Sequence, residues 1–122
     1  MITGKYPSLR LRRGRKENWS RRLIQENSLG PNDFILPIFL IDGSNLKQKI
    51  SSMPGVYRYT INRLSQIIDK ALKIGIPMVA LFPKTEKSLK NEIGSESLNE
   101  NNLVCRAIKE IKKRYKNQIG IM

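Results

Sequence analysis

Lys84, Lys87 and Lys90 are the side chains of this sequence best suited to covalent chemistry. A neutral lysine amine adds to a carbonyl and loses water to give a Schiff base, provided desolvation lowers its pKa. Their setting argues against that role, because three spaced lysines in a polar stretch read as a solvated loop. Other constellations are missing. The chain has no histidine, which excludes Ser-His and Cys-His pairs. Its one cysteine, Cys105, has no thiol or imidazole companion for a disulfide or a zinc cluster. It falls on the apolar side of a helical stretch and is expected to pack there. Gly43 and Gly55 are isolated, so no Gly-rich phosphate loop follows a strand. No catalytic and no metal-ligating residue is assigned. Phe82 ends an apolar run, at the end of a strand where barrel enzymes bind substrate. From position alone it reads as a core aromatic.

The elements that hold these residues follow from periodicity. Residues 34–41 and 76–82 are apolar almost throughout, as in strands covered on both faces. Pro37 is awkward inside the first, since it donates no ladder hydrogen bond, and a strand end or bulge is expected there. Asp42-Gly43-Ser44-Asn45 reads as a turn and 44–57 as a long connection. A helix is predicted over 61–74. Thr60 is its expected N-cap, Ile61, Leu64, Ile67, Ile68, Ala71 and Leu72 form its apolar face, and Gly75 lies just past its end. Residues 83–101 read as a loop. Asn102 is expected to cap a second helix over 103–115, with Leu103, Val104, Ala107, Ile108 and Ile111 on one face. A third strand begins at 118–122. Strand, helix, strand, helix, strand implies parallel crossovers, hence a doubly wound sheet or a (β/α)8 barrel.

Residues 1–30 form a separate basic unit. They carry eight basic and two acidic groups. Arg10, Arg12, Arg13, Arg15 and Lys16 crowd together with only Leu9 and Leu11 as apolar company, which predicts an extended arm. Asn18 is expected to cap a short helix from Trp19 to about Asn27, with Trp19, Leu23 and Ile24 on one side. The net charge of +13 raises a basic nucleic-acid-binding module as one reading. Aromatic residues near the arm are too few for a single-strand stacking platform. An arm that wraps an acidic partner subunit explains the charge equally well. No apolar run is long enough for a transmembrane helix, and no apolar segment follows the basic N-terminus as in a secretory signal. A reducing, cytoplasmic setting is the expectation.

Ser52-Met53-Pro54-Gly55-Val56-Tyr57-Arg58 resembles a signature of the porphobilinogen synthases, also called 5-aminolevulinate dehydratases. Further blocks follow in that family's order. They are Arg12-Arg13, Arg15 and Trp19 to Leu23, then Leu36-Pro37-Ile38-Phe39, Gly75-Ile76-Pro77, Ala80-Leu81-Phe82-Pro83, Lys90, Gly94-Ser95-Glu96 and Arg106-Ala107-Ile108. Asn91 departs from the aspartate common after the lysine. The resemblance implies an N-terminal arm plus the first β/α units of a (β/α)8 TIM barrel, incomplete, with 31–122 as the partial barrel. It implies an enzyme that condenses two 5-aminolevulinate molecules to porphobilinogen in tetrapyrrole synthesis. Its two Schiff-base lysines would lie beyond Met122. The family's zinc or magnesium would likewise not be bound by this chain. Homo-octamers are common in the family, and the arm reaches around a neighbouring subunit. Phe82 matches a residue lining the substrate pocket. The chain is expected to be a truncated portion, inactive alone, with a non-catalytic oligomerisation fragment as a further reading. Sequential strand order would put 76–82 in the middle. It would leave 34–41 and 118–122 as bare edges and expose an inner face that includes Val79 and Leu81.

Overall fold

The computed structural model describes residues 4–10 and 12–122, so Leu11 of the arm lies outside the described residues. An apolar run becomes β1 at Ile35–Leu40, and a second becomes β4 at Met78–Pro83. The two pair in parallel over six positions, from Ile35 opposite Met78 to Leu40 opposite Pro83. A short β5 at Gly120–Ile121 runs parallel to β4 on its far side. The expected place of 76–82, between the first strand and 118–122, is therefore observed.

The connection over 44–57 is not featureless. It holds β2 at Lys47–Lys49 and β3 at Tyr57–Tyr59, an antiparallel pair whose second strand lies parallel to β1. The sheet order is β2-β3-β1-β4-β5, so β1 is not an edge strand along its whole length. The hairpin tip explains the Ser-Met-Pro-Gly-Val run. Val56 N–H donates to the Met53 carbonyl at 3.1 Å, with Gly55 at φ +80 in the third position of the turn. Proline second and a positive-φ glycine third are what a type II turn requires.

Pro37 needs neither a bulge nor a strand end. Backbone groups of a parallel strand point to alternate neighbours. The Leu40 carbonyl accepts from Lys84 N–H on the β4 side, whereas Ile41 N–H donates to Tyr59 on the β3 side. By that alternation the missing N–H of Pro37 faces the β3 side, where β3 reaches only Phe39 and Leu40.

Helix α2 spans Ser65–Lys73 after a 3-10 turn at Ile61–Arg63, and helix α3 spans Leu103–Tyr115. Both cover one face of the sheet. Leu64, Ile68, Ala71, Leu103, Ala107, Ile111 and Tyr115 pack on Ile38, Leu40, Val79 and Leu81. Val79 and Leu81 thus belong to the helix-covered face, because alternate side chains of a strand point to opposite faces. The helix-free face carries Ile35, Pro37 and Phe39 beside Met78, Ala80 and Phe82. At the end of α2, Gly75 N–H donates to Leu72 and Ile76 N–H to Ala71, with Gly75 at φ +83. That is the Schellman closure. Asn102 caps α3 by accepting from Cys105 N–H at 2.8 Å.

Thr60 does not cap its helix through the side chain. Fully buried, its hydroxyl accepts from Leu46 N–H at 3.0 Å and donates to Asn62 Oδ1 at 2.7 Å. In the arm, helix α1 spans Asn18–Leu23, so Asn18 lies inside it and Glu17 precedes it without a side-chain cap. It stops short of Asn27, because Trp19, Leu23 and Ile24 remain exposed and no packing extends it.

Candidate functional site

One row of side chains crosses the helix-free face near the carboxyl ends of the strands. Register places Gln48 of β2 opposite Arg58 of β3, Arg58 opposite Phe39 of β1, and Phe39 opposite Phe82 of β4. The Phe39 and Phe82 ring centroids lie 5.7 Å apart with planes inclined by 33°. Such tilted pairs are favourable at this separation. Phe82 stays 49% exposed, so its ring is available to a ligand above the sheet. Arg58 is half-buried, its Nη1 at a long 3.5 Å from Gln48 Oε1.

Phe82 is therefore not a core aromatic. Lys84, Lys87 and Lys90 are all exposed. A cavity of about 490 Å³ beside the β4–α3 connection is lined by Lys84 and Lys90, together with Pro83, Leu89, Leu103 and Arg106. It lies along α3 rather than over the aromatic row. Across its rim Arg106 Nη2 meets Asp42 Oδ2 at 2.6 Å. That bond, together with a hydrogen bond from Gly43 N–H, holds the Asp42 carboxyl below the usual carboxylate range. Asn91 accepts from Ser95 N–H at 3.0 Å, a contact that an aspartate would make equally. Cys105 is half-buried in the first turn of α3.

Among the described residues no three His, Cys, Asp or Glu side chains converge on a metal position. No helix among them is long and apolar enough to cross a membrane. The described arginines of the arm form no ion pair with the rest of the described chain, where Asp42–Arg106 and Asp69–Arg114 are the pairs present.

Phe39, Arg58 and the Asp42–Arg106 bridge escaped the sequence reading. Phe39 is visible as an aromatic within an apolar run, but its register with Phe82 is not, since matching the starts of 34–41 and 76–82 would set it opposite Leu81. Arg58 is visible as the end of the Ser52-to-Arg58 signature, but its place beside Phe39 is not, because the polar three-residue β2 has no strand periodicity.

A sheet parallel from β3 to β5 with helices on one face, and an open aromatic row at the carboxyl ends on the other, defines the opening β/α units of a (β/α)8 barrel with its ligand side inward. The family model for delta-aminolevulinic acid dehydratase matches residues 8–122. The dehydratase of Bradyrhizobium diazoefficiens is 47% identical over 94% of this chain and 32% of its own length. That of Helicobacter pylori is 43% identical over 92% and 34%. The delta-aminolevulinic acid dehydratase of Toxoplasma gondii, solved in complex with the reaction product porphobilinogen, superposes with a TM-score of 0.81. It is 34% identical over 93% of this chain and 32% of that one. The chain belongs to the delta-aminolevulinic acid dehydratase family, and it spans about a third of the length of the relatives it matches. That membership favours the enzyme reading over a nucleic-acid-binding module.

Proposed function

We propose that the chain supplies the N-terminal arm and first β/α units of a porphobilinogen synthase. This is a lyase that condenses two 5-aminolevulinate molecules to porphobilinogen in haem and other tetrapyrrole synthesis. Phe82 contributes an apolar wall to the substrate pocket, where it excludes water and orients the substrate's carbon chain. The Schiff-base lysines are supplied outside this chain: Lys84, Lys87 and Lys90 are exposed, and Lys84 and Lys90 line the cavity along α3, whose wall does not include the aromatic pair. Zinc or magnesium, where the activity needs one, is held outside it too. The basic arm serves contact between subunits of a homo-octamer, with arginines meeting carboxylates. The setting is cytoplasmic.

The observation that carries this reading is the aromatic pair at the carboxyl ends, with Phe82 exposed on the helix-free face, in a chain 47% identical to a dehydratase. The test is a hybrid in which residues 8–122 replace the matching segment of the Bradyrhizobium enzyme. It should form porphobilinogen from 5-aminolevulinate. The chain alone should form none and should give no adduct on borohydride trapping. A folded hybrid without activity, or a substrate adduct on Lys84, Lys87 or Lys90 of the chain alone, would overturn it.

A further inference from the structure

We propose that Phe39 is a positioning residue for the substrate pocket, fixing the side-chain conformation of Phe82 and with it the shape of the apolar wall. The inference rests on the synthase reading above.

Phe82 has Phe39 of β1 as its register partner, and the two ring centroids lie 5.7 Å apart. That is wider than the spacing of about 4.8 Å between neighbouring strands, and with planes inclined by 33° the rings make a tilted pair rather than a parallel stack. Phe39 is itself hemmed in. It is half-buried, with Arg58 of β3 as its register partner on the far side. The less mobile ring therefore sets the conformation of the more exposed one. Only Phe82 faces ligand. Phe39 acts through it, and truncating Phe39 frees Phe82 to turn into the space vacated.

The hybrid enzyme separates the possibilities. Phe39→Leu keeps the apolar volume and removes the ring. KM for 5-aminolevulinate should rise about threefold to tenfold, the range an aromatic pair is worth, with kcat nearly unchanged. Phe39→Tyr keeps the ring and should restore KM. On a Phe82→Leu background, Phe39→Leu should add almost nothing, since coupled residues are not additive. A merely structural role would lower the active fraction, and so kcat, without moving KM. Unchanged KM in Phe39→Leu, or additive effects in the double variant, would overturn the proposal. A wild-type hybrid that makes no porphobilinogen counts against the synthase reading instead. Should a variant hybrid fail to fold, the chain itself still reports. With ring-labelled phenylalanine, Phe39→Leu should shift the Phe82 resonances, and unshifted resonances would overturn the stacking role.

Discussion

Thr60 joins two elements with one hydroxyl. It receives the Leu46 N–H at the start of the hairpin and gives its proton to Asn62 at the start of the α2 segment. Thr60→Val keeps the shape of this fully buried side chain and removes the hydroxyl partner of both the Leu46 N–H and Asn62. It should cost about 1–3 kcal/mol, read as a lower urea midpoint with an unchanged slope. Tyr115 is a second such joint. Its ring is buried in the core and its hydroxyl donates to Asp69 Oδ1 at 2.6 Å. Burial first, and the Asp69 carboxylate second, push its pKa up to about 12 from 10.0. The folded chain holds this proton more tightly than the unfolded one. The stability it contributes is therefore present below about pH 10 and lost as pH rises to about 12. Melting curves of wild type and Tyr115→Phe should differ at pH 8 and converge by the upper value. A constant difference would contradict this.

Elements were legible where apolar residues run without a break. Ile35–Leu40 and Met78–Pro83 announce themselves by that run, although only the helix-covered face is largely buried and Ile35, Pro37 and Phe82 stand exposed on the other. The apolar faces of α2 and α3 repeat at helical spacing. The hairpin was missed because Lys47-Gln48-Lys49 is exposed and polar and Tyr57–Tyr59 is half-buried, so neither carries a strand pattern. What marks it is its turn, with Pro54 and Gly55 in the order a type II turn needs. The faces of the strands were also misread. A run apolar at every position does not say which parity meets the helices, so Val79 and Leu81 were placed inward. At the end of α2, by contrast, glycine was read correctly. Gly75→Ala would force a Cβ into the left-handed region, 3.4 Å from Pro31 Cβ. It should lower stability by about 1 kcal/mol, as a drop in melting temperature of a few degrees.

Among the described residues, large apolar side chains stand exposed at Ile35 and Phe82 on the helix-free face, at Trp19, Leu23 and Leu29 in the arm, and at Ile93 and Leu98 between β4 and α3. Exposed apolar surface of this kind marks association surfaces where it is contiguous. The chain alone should therefore self-associate. Light scattering should give a mass above one copy, and hydrogen exchange should show protection that rises with concentration at 76–82 and 118–122. A compact monomer with strong, concentration-independent protection would mean that the described chain needs no further surface. The basic arm belongs to the same scale. Its charge was legible from composition, but its purpose was not, since exposed arginines look alike before any phosphate or carboxylate.

Pro37 matters to that association in a way its tolerance within β1 does not suggest. Below the hairpin, the outer margin of β1 presents the backbone groups of Ile35 and Pro37, which have no paired neighbour there among the described residues. Both carbonyls can accept there, yet only Ile35 has a hydrogen to offer. An incoming strand would find acceptors without matching donors, which blunts the edge as a template in the manner of a gatekeeper. Misassembly should therefore start from the other flank of the sheet, along β5, and the first strand keeps its open margin for a partner that donates to it.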